Sequence, residues 1–137
     1  MQPLPVILGL VAFATMLGLL WRALQGRITR RPRSDALLLP EGIALGRGAT
    51  LLQFSSEVCS PCRATHTLLD SIASGMDDVT HVDLNLTHRP DLANRYGILQ
   101  TPTTFILDAR GVVRARIGGA ARRDSVTAEL ERILVAA

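Results

Sequence analysis

The only two cysteines of the chain, Cys59 and Cys62, are separated by two residues. An apolar run at residues 50–54 precedes them, and a helical pattern at residues 61–74 follows, beginning with a proline that fits the first turn of a helix. Cysteines three positions apart at the start of a helix lie on one face, within disulfide-bonding distance. The unpaired N–H groups and the helix dipole favour a thiolate on the first cysteine. The pattern predicts a dithiol that cycles between reduced and disulfide forms.

Two cysteines are too few for a multiply bridged secreted scaffold, and a structural disulfide usually closes a longer loop. Redox chemistry and metal binding are therefore the two remaining roles for this cysteine pair. His66 follows Cys62 by four residues and could complete a set of three ligands, but a structural zinc site usually needs four. His81 and His88 lie on distant predicted elements. We therefore expect no metal, and we expect the three histidines on the surface or at the rim of a site.

Residues 2–21 contain no ionisable side chain and are almost wholly apolar. At 1.5 Å per residue such a helix reaches about 30 Å, the thickness of the hydrocarbon layer. Trp21 and Arg22 stand where an interfacial aromatic ring and a snorkelling cation belong. A cleaved secretory signal and a buried soluble helix are the alternatives, and residues 12–14 do resemble a cleavage site. No positive residue precedes the run, however, which favours a transmembrane helix at residues 1–24.

Residues 22–46 carry five arginines and two acids, whereas residues 47–137 carry ten of each. The net charge of +3 therefore belongs to a short segment, which is typical of lipid-headgroup contact and not of nucleic-acid binding. The positive-inside rule predicts a single-pass protein of the cell membrane with its C-terminal domain on the cytoplasmic face. An extracytoplasmic domain on an N-terminal anchor is the alternative. Residues 25–46 are predicted to be a basic juxtamembrane linker, with a possible short strand at residues 36–39.

Residues 47–137 alternate between strand and helix patterns. The order is strand, helix, strand, helix, strand, strand, helix, with strands near residues 50–55, 79–86, 103–107 and 112–117 and helices near residues 61–74, 89–96 and 123–135. Two parallel strands joined by a crossover, plus a hairpin, form a mixed sheet with helices on both faces, an α/β fold. In the last helix, Leu130 is predicted to point inward and Glu129 outward.

Several motifs in residues 47–137 resemble the thioredoxin family. They occur in the family's order and nearly at its spacing: Leu52-x-Phe54, then Cys59-Ser60-Pro61-Cys62-Arg63, then Arg95-Tyr96-Gly97-Ile98 leading to Thr101-Pro102-Thr103, and finally Gly118 before the last helix. The resemblance implies a thioredoxin-like fold behind one transmembrane helix. It also implies a thiol–disulfide oxidoreductase that acts on protein disulfides, receives electrons from an upstream donor and uses no cofactor beyond its own disulfide.

The resemblance also implies roles for individual residues. Cys59 would attack the substrate disulfide and Cys62 would resolve the mixed disulfide. Pro102 would be a cis-proline facing the dithiol, although an ordinary trans turn proline is the alternative. The residues around the dithiol that would bind the substrate are Thr101, Pro102, Val58, Ser60 and Pro61.

Three positions depart from the family's pattern. Val58 replaces the usual tryptophan before the first cysteine, Gln53 stands near the place of the buried acid, and Asp83 near the place of its lysine partner. Because Cys62 must lose a proton during resolution, we expect Asp83 to be the proton acceptor, unless it faces solvent and water accepts the proton. The missing aromatic residue also favours a second hypothesis, a binding or redox-sensing module with little turnover.

Overall fold

The computed structural model describes residues 2–30 and 39–136 of the chain. Their elements follow in the order α1 (Leu4–Leu24), β1 (Ile28–Arg30), β2 (Ala49–Ser55), α2 (Ser60–Ser74), β3 (Val79–Asn85), α3 (Pro90–Tyr96), β4 (Thr103–Asp108), β5 (Val113–Gly118) and α4 (Arg123–Val135). From β2 onward, this order is the one that the sequence predicts.

One five-stranded sheet organises the domain, with the strand order β1-β5-β4-β2-β3. Strands β2 and β3 are parallel and are joined through α2, whereas β4 pairs antiparallel with both β2 and β5. The β4–β5 hairpin turns through Gly111, whose φ of 79° lies in the left-handed region that glycine adopts without strain. The predicted mixed sheet with a crossover and a hairpin is confirmed.

Apolar side chains of the sheet pack on both of its faces. Every residue of β2 is buried, because Leu51 and Leu52 point to opposite faces and both faces are covered. One cluster joins the sheet to α2 and α4 through Leu51, Leu69 and Leu130. The other cluster joins the opposite face of the sheet to α3. Within this cluster the ring of Phe54 on β2 lies 5.0 Å from the ring of Phe105 on β4. This packing holds the carboxyl end of β2 rigidly between two layers.

Strand β1 lies inside the segment that we predicted to be a linker. Only three residues separate it from the end of α1, and it pairs antiparallel with β5 at the edge of the sheet. Its Ile28 is partly buried against the cluster on the α2 side. The strand predicted at residues 36–39 lies outside the described residues except for Leu39, which packs against the cluster on the α3 side. The chain that follows α1 therefore joins the sheet almost at once.

The predicted outward position of Glu129 is wrong. Its side chain is buried in α4 and accepts hydrogen bonds from Arg30 Nε and Arg132 Nη1, each at 3.1 Å. A buried carboxylate is tolerated when it is paired and hydrogen-bonded in this way. Because Arg30 belongs to β1, the error has the same origin as the unpredicted strand.

No residue of α1 is buried. Within the described part of the chain, α1 is the one helix that is long and apolar enough to cross a membrane, a test that a signal sequence also passes. The helix therefore fits the predicted single span.

Candidate redox site

Cys59 and Cys62 form a disulfide at the start of α2. Strand β2 ends at Ser55, the chain turns through residues 56–58, and Cys59 occupies the position just before the first helical residue. Cys59 is partly exposed, whereas Cys62 is buried in the first turn of α2. The predicted disulfide-capable pair is confirmed, with its outer sulfur accessible from solvent.

The Thr101–Pro102 peptide bond is cis and leads directly into β4. Thr101 Oγ1 lies 3.2 Å from Ser56 Oγ, so a hydrogen bond joins the proline loop to the loop before Cys59. Thr103, the residue after Pro102, pairs with Phe54 near the end of β2. The structure therefore brings Thr101 and Pro102 to the end of the sheet that carries the dithiol.

Two large apolar side chains, in the loops that lead to Cys59 and to Pro102, are almost fully exposed. Val58, just before Cys59, is 95% exposed, and Leu99, three residues before Pro102, is 94% exposed. Ser60 and Pro61 are exposed beside them. Sequence reasoning missed Leu99, although an apolar residue in the loop between the tyrosine–glycine and proline motifs was a usable signal.

Beneath the dithiol, Gln53 links Cys62 to β3. Gln53 is fully buried; its Nε2 donates a hydrogen bond to the Cys62 carbonyl oxygen at 2.9 Å, and its Oε1 lies 3.1 Å from His81 Nε2. Because the Cys62 carbonyl oxygen can only accept, the Gln53 side-chain amide must point its nitrogen toward Cys62. Gln53 Oε1 then faces His81, so His81 Nε2 carries the proton in that hydrogen bond. An uncharged chain of hydrogen bonds therefore supports Cys62 from below.

His81 is part of this support, and its predicted surface or rim position is wrong. Its side chain is only 3% exposed, because it shares a face of β3 with Val79, under α2. Burial is the main cause that lowers its pKa below the usual value of 6.5, and the neighbouring His66 lowers the pKa further. Asp70 and Asp83 oppose these effects. His81 therefore favours its neutral form beneath the dithiol.

Asp83 lies opposite Gln53 in the pairing of β2 with β3. Its Oδ1 accepts a hydrogen bond from Ser55 Oγ, and its Oδ2 lies 3.0 Å from His66 Nδ1. The Asp83 side chain is 25% exposed. His66 stands one helical turn after Cys62 on α2, and its ring is 4.8 Å from that of His81. Asp83 and His66 thus form a polar pair at the rim of the site.

The dithiol and this polar pair share one open cleft of about 370 Å³. The residues that line it are Ser55, Ser56, Glu57, Cys59, Cys62, Arg63, His66 and Asp83. A larger cavity of about 590 Å³ lies at the opposite end of the sheet, near Asp108 and Glu129, away from the cysteines. No group of three or more metal-ligating side chains occurs among the residues described. The smaller cleft is therefore the candidate site.

The sequence model of the family described as "Thioredoxin" matches residues 41–132. The chain belongs to the thioredoxin family. Thioredoxin M4, a chloroplastic protein of Arabidopsis thaliana, is 34% identical over 86 residues, which cover 62% of this chain and 44% of that protein. Thioredoxin H2 of the same plant is 30% identical over 83 residues, 61% of each chain. The thioredoxin of Rhodospirillum rubrum is 29% identical over 79 residues, 57% of this chain and 76% of that protein. The matched stretch thus spans about half of the first two relatives.

Solved structures agree on the fold. A mutant thioredoxin from Halobacterium salinarum NRC-1 has a TM-score of 0.57 at 19% identity, covering 64% of this chain and 76% of that chain. A structure titled "Structure of a malarial protein" has a TM-score of 0.56 at 18% identity, covering 64% of this chain and 98% of that chain. At these identities the likeness establishes the thioredoxin fold alone.

This thioredoxin-family chain keeps the dithiol and the cis-proline, and it differs beneath them. Gln53, near the place where the sequence comparison expected an acid, hydrogen-bonds the Cys62 backbone without carrying a charge. Within the cleft, the ionisable group opposite Gln53 in the sheet is instead Asp83 on β3, which is paired with His66 on α2. Any proton acceptor for Cys62 must therefore be sought at the rim of the cleft or in water.

Proposed function

We propose that this protein is a membrane-tethered thiol–disulfide oxidoreductase that reduces, or exchanges, protein disulfides. The observation that carries the proposal is the Cys59–Cys62 disulfide at the start of α2, with Cys59 partly exposed and the preceding loop hydrogen-bonded through Ser56 to the cis Thr101–Pro102 loop. A dithiol at the amino end of a helix has the electrostatic setting that favours a reactive thiolate.

The reaction starts from the reduced protein. The Cys59 thiolate attacks one sulfur of a client disulfide, and the other client sulfur leaves as a thiolate that takes up a proton. Cys62 then loses its proton and attacks the Cys59 sulfur, which releases the second client thiolate. Two electrons pass to the client, whose two thiolates take up the proton that Cys62 released and one from water, and the protein is left as the disulfide. A separate dithiol donor must return two electrons for the next cycle.

The client is held by the exposed groups around Cys59. Val58, Ser60 and Pro61 are exposed next to Cys59 in the chain, and the loop of Thr101 and Pro102, hydrogen-bonded to Ser56, supplies backbone groups to the client. The exposed Leu99 adds a second apolar contact to that of Val58. These two side chains supply the apolar contact that the family's tryptophan would otherwise make.

The pair of Asp83 and His66 takes up the proton of Cys62, with His66 as the acceptor and Asp83 as the carboxylate that orients it. Three observations support this role: Asp83 and His66 line the same cleft as Cys62, they are paired with each other at 3.0 Å, and Gln53 offers no carboxylate. A carboxylate that orients a histidine is a common general-base arrangement. Asp83 then orients His66 and stabilises the imidazolium that forms.

The tether is α1, which crosses the cell membrane once. Five arginines follow the span at residues 22–33, which favours a cytoplasmic domain. The alternative is a domain on the extracytoplasmic face. Labelling of reduced Cys59 in intact cells with a membrane-impermeant maleimide decides between them: protection until lysis is expected, and labelling before lysis would place the domain outside.

Insulin-disulfide reduction by the full chain tests the proposed activity. Cys59→Ser should abolish turnover, and Cys62→Ser should abolish it while accumulating a mixed disulfide that thiol treatment releases. Ser125→Ala, on the distant helix α4, serves as the control and should keep full activity.

The absence of an aromatic residue before Cys59 supports a second candidate, a redox-sensing adaptor. That function predicts little insulin turnover by the native chain, together with a membrane partner that binds only one redox form. Turnover that is lost in Cys59→Ser would exclude it.

A further inference from the structure

Helix α1 enters the domain at the same end of the sheet as the dithiol. The pairing shows this directly: Thr103, at the start of β4, lies opposite Phe54 near the end of β2 and opposite Gly118 at the end of β5. Ile28, the first residue of β1, lies opposite Ile117. The end of β2 that leads to Cys59 and the start of β1 that follows α1 therefore lie at the same end of the sheet.

Backbone hydrogen bonds connect the end of α1 to the proline loop through the turn after β5. Gly26 N–H donates to the Gly118 carbonyl at 3.0 Å, and Gly119 N–H donates to the Pro102 carbonyl at 2.9 Å. In the same region Arg122 Nη2 donates to the Arg22 carbonyl, at 3.3 Å. Two backbone hydrogen bonds, made by the neighbouring residues Gly118 and Gly119, thus connect the turn after α1 to the cis-proline.

Distances follow from the sheet geometry. Neighbouring strands are about 4.8 Å apart, so β4 lies roughly 10 Å and β2 roughly 15 Å from β1. The three residues between α1 and β1 span at most about 10 Å. A strand of six residues is about 20 Å long, so the β4–β5 hairpin around Ala109 lies that much farther from the end of α1. Because the connection is so short, the domain has little freedom to turn its redox end away from the end of α1.

We propose that the redox end of the domain faces the bilayer surface, so that its clients are membrane proteins whose disulfide or dithiol lies at the level of the lipid headgroups. This inference rests on the proposed function for the chemistry, and on α1 as the membrane span. The electron balance is the one given above, with two electrons passing to the client and a dithiol donor restoring the protein. The exposed cations Arg22, Arg27 and Arg122 surround the entry point and favour contact with anionic headgroups. A client whose disulfide lies far above the bilayer meets the opposite end of the domain, away from the dithiol.

Energy transfer to the membrane tests the orientation without using the redox activity. The full chain is reconstituted in nanodiscs that contain an acceptor lipid with a fluorescent headgroup. One sample carries a donor dye on Cys59 in the Cys62→Ser variant. The matched control carries it at the exposed hairpin, as Ala109→Cys in a chain with Cys59→Ser and Cys62→Ser. Stronger transfer from position 59 is expected, and equal or weaker transfer from that position would overturn the inference.

Two membrane clients test the substrate class. Both carry the same disulfide loop on a single transmembrane helix, either at the bilayer surface or behind a helical spacer of about 30 residues, roughly 45 Å long. We expect the near client to be reduced about tenfold faster, because the tether raises its effective concentration at the dithiol. A flexible insert of about 20 Gly/Ser residues between Leu24 and Gln25 should reduce this preference to less than about twofold.

The two proposals fail in different ways. If insulin is reduced but the native chain reduces the near and far clients equally, the inference about clients is overturned and the oxidoreductase stands. If no disulfide is reduced, the proposed function fails, and energy transfer alone decides which end of the domain faces the membrane.

Discussion

Gln53 is the residue whose chemistry departs most from what its position led us to expect. It is uncharged, fully buried, and bonded both to the Cys62 carbonyl and to His81. Its hydrogen bonds support the first turn of α2, and under the proposed function proton transfer falls to groups at the rim. This separation of support from acid–base chemistry is visible only because two strands and a helix place their side chains together.

Gln53→Leu should destabilise the oxidised chain by about 1–3 kcal/mol, because the Cys62 carbonyl and His81 Nε2–H lose a buried partner. Urea denaturation of the full chain in detergent measures the change. The control is Thr67→Ala, which removes an exposed hydroxyl of the same helix and should change stability by less than about 0.5 kcal/mol. Equal effects of the two substitutions would contradict the supporting role of Gln53.

Asp83→Asn and His66→Gln should each slow the resolution step by about tenfold to a hundredfold, because the acceptor for the Cys62 proton is lost or misoriented. Single-turnover reduction of a peptide disulfide, followed from pH 5 to 9, measures both the rate and its pH profile. Asp70→Asn removes an exposed acid that is 3.7 Å from His81 and should leave the profile unchanged. A native profile in Asp83→Asn would remove Asp83 from the mechanism.

The buried side chain of His81 should make the free energy of unfolding depend on pH. Burial lowers its pKa below 6.5, so as the pH falls through 6.5 the unfolded chain takes up a proton that the folded chain resists. Stability should therefore be complete above pH 7 and should fall below it, by at most about 1.4 kcal/mol per pH unit from this group. His81→Gln should flatten the dependence measured by urea denaturation from pH 7.5 to 5, whereas His88→Gln, at an exposed site, should retain it.

At the scale of elements, β1 is the part of the fold that ties the apolar helix α1 to the redox domain. Gly26 makes the turn into it with a φ of 71°, and a Cβ added there would lie 2.7 Å from the Ala120 carbonyl oxygen. Both facts require glycine, since side chains disfavour this backbone region and the neighbouring atom is backbone.

Gly26→Ala should therefore cost about 1–3 kcal/mol and should loosen β1 from β5. Hydrogen exchange of the β5 amides, followed by mass spectrometry, should show faster exchange in that strand. Gly75→Ala is the matched control, because its φ is −89° and its added Cβ would meet nothing closer than 3.5 Å. Equal protection of β5 in native and Gly26→Ala chains would contradict the tie between the two segments.

At the scale of the whole molecule, the single tryptophan offers a test of the proposed membrane tether. Trp21 is exposed near the end of α1 and is the only tryptophan of the chain. In vesicles its emission should be quenched by lipids brominated near the headgroup, and reduction of Cys59–Cys62 should not change this, because the tether does not depend on the redox state. Emission that brominated lipids leave unquenched would argue against α1 as a membrane anchor.

The order of elements could be predicted because it depends on residues that are near one another in the chain. The C-x-x-C spacing, the proline at the helix start and the apolar periods of β2 and α2 are local signals. Strand β1 escaped prediction because three residues, 28–30, are too few to show a period and their partner, β5, lies about 90 residues away. Glu129 and His81 were misplaced for the same reason, since the partners that allow their burial lie elsewhere in the sequence.

The sequence alone determined that this chain has a dithiol at the head of a helix, an apolar segment of membrane length and the thioredoxin order of strands and helices. Each of these follows from composition and short-range spacing. Only the tertiary structure decided that His66 and Asp83 share the cleft with Cys62 and that α1 joins the sheet at its redox end. Those facts depend on strand register, which brings together residues that no local pattern connects.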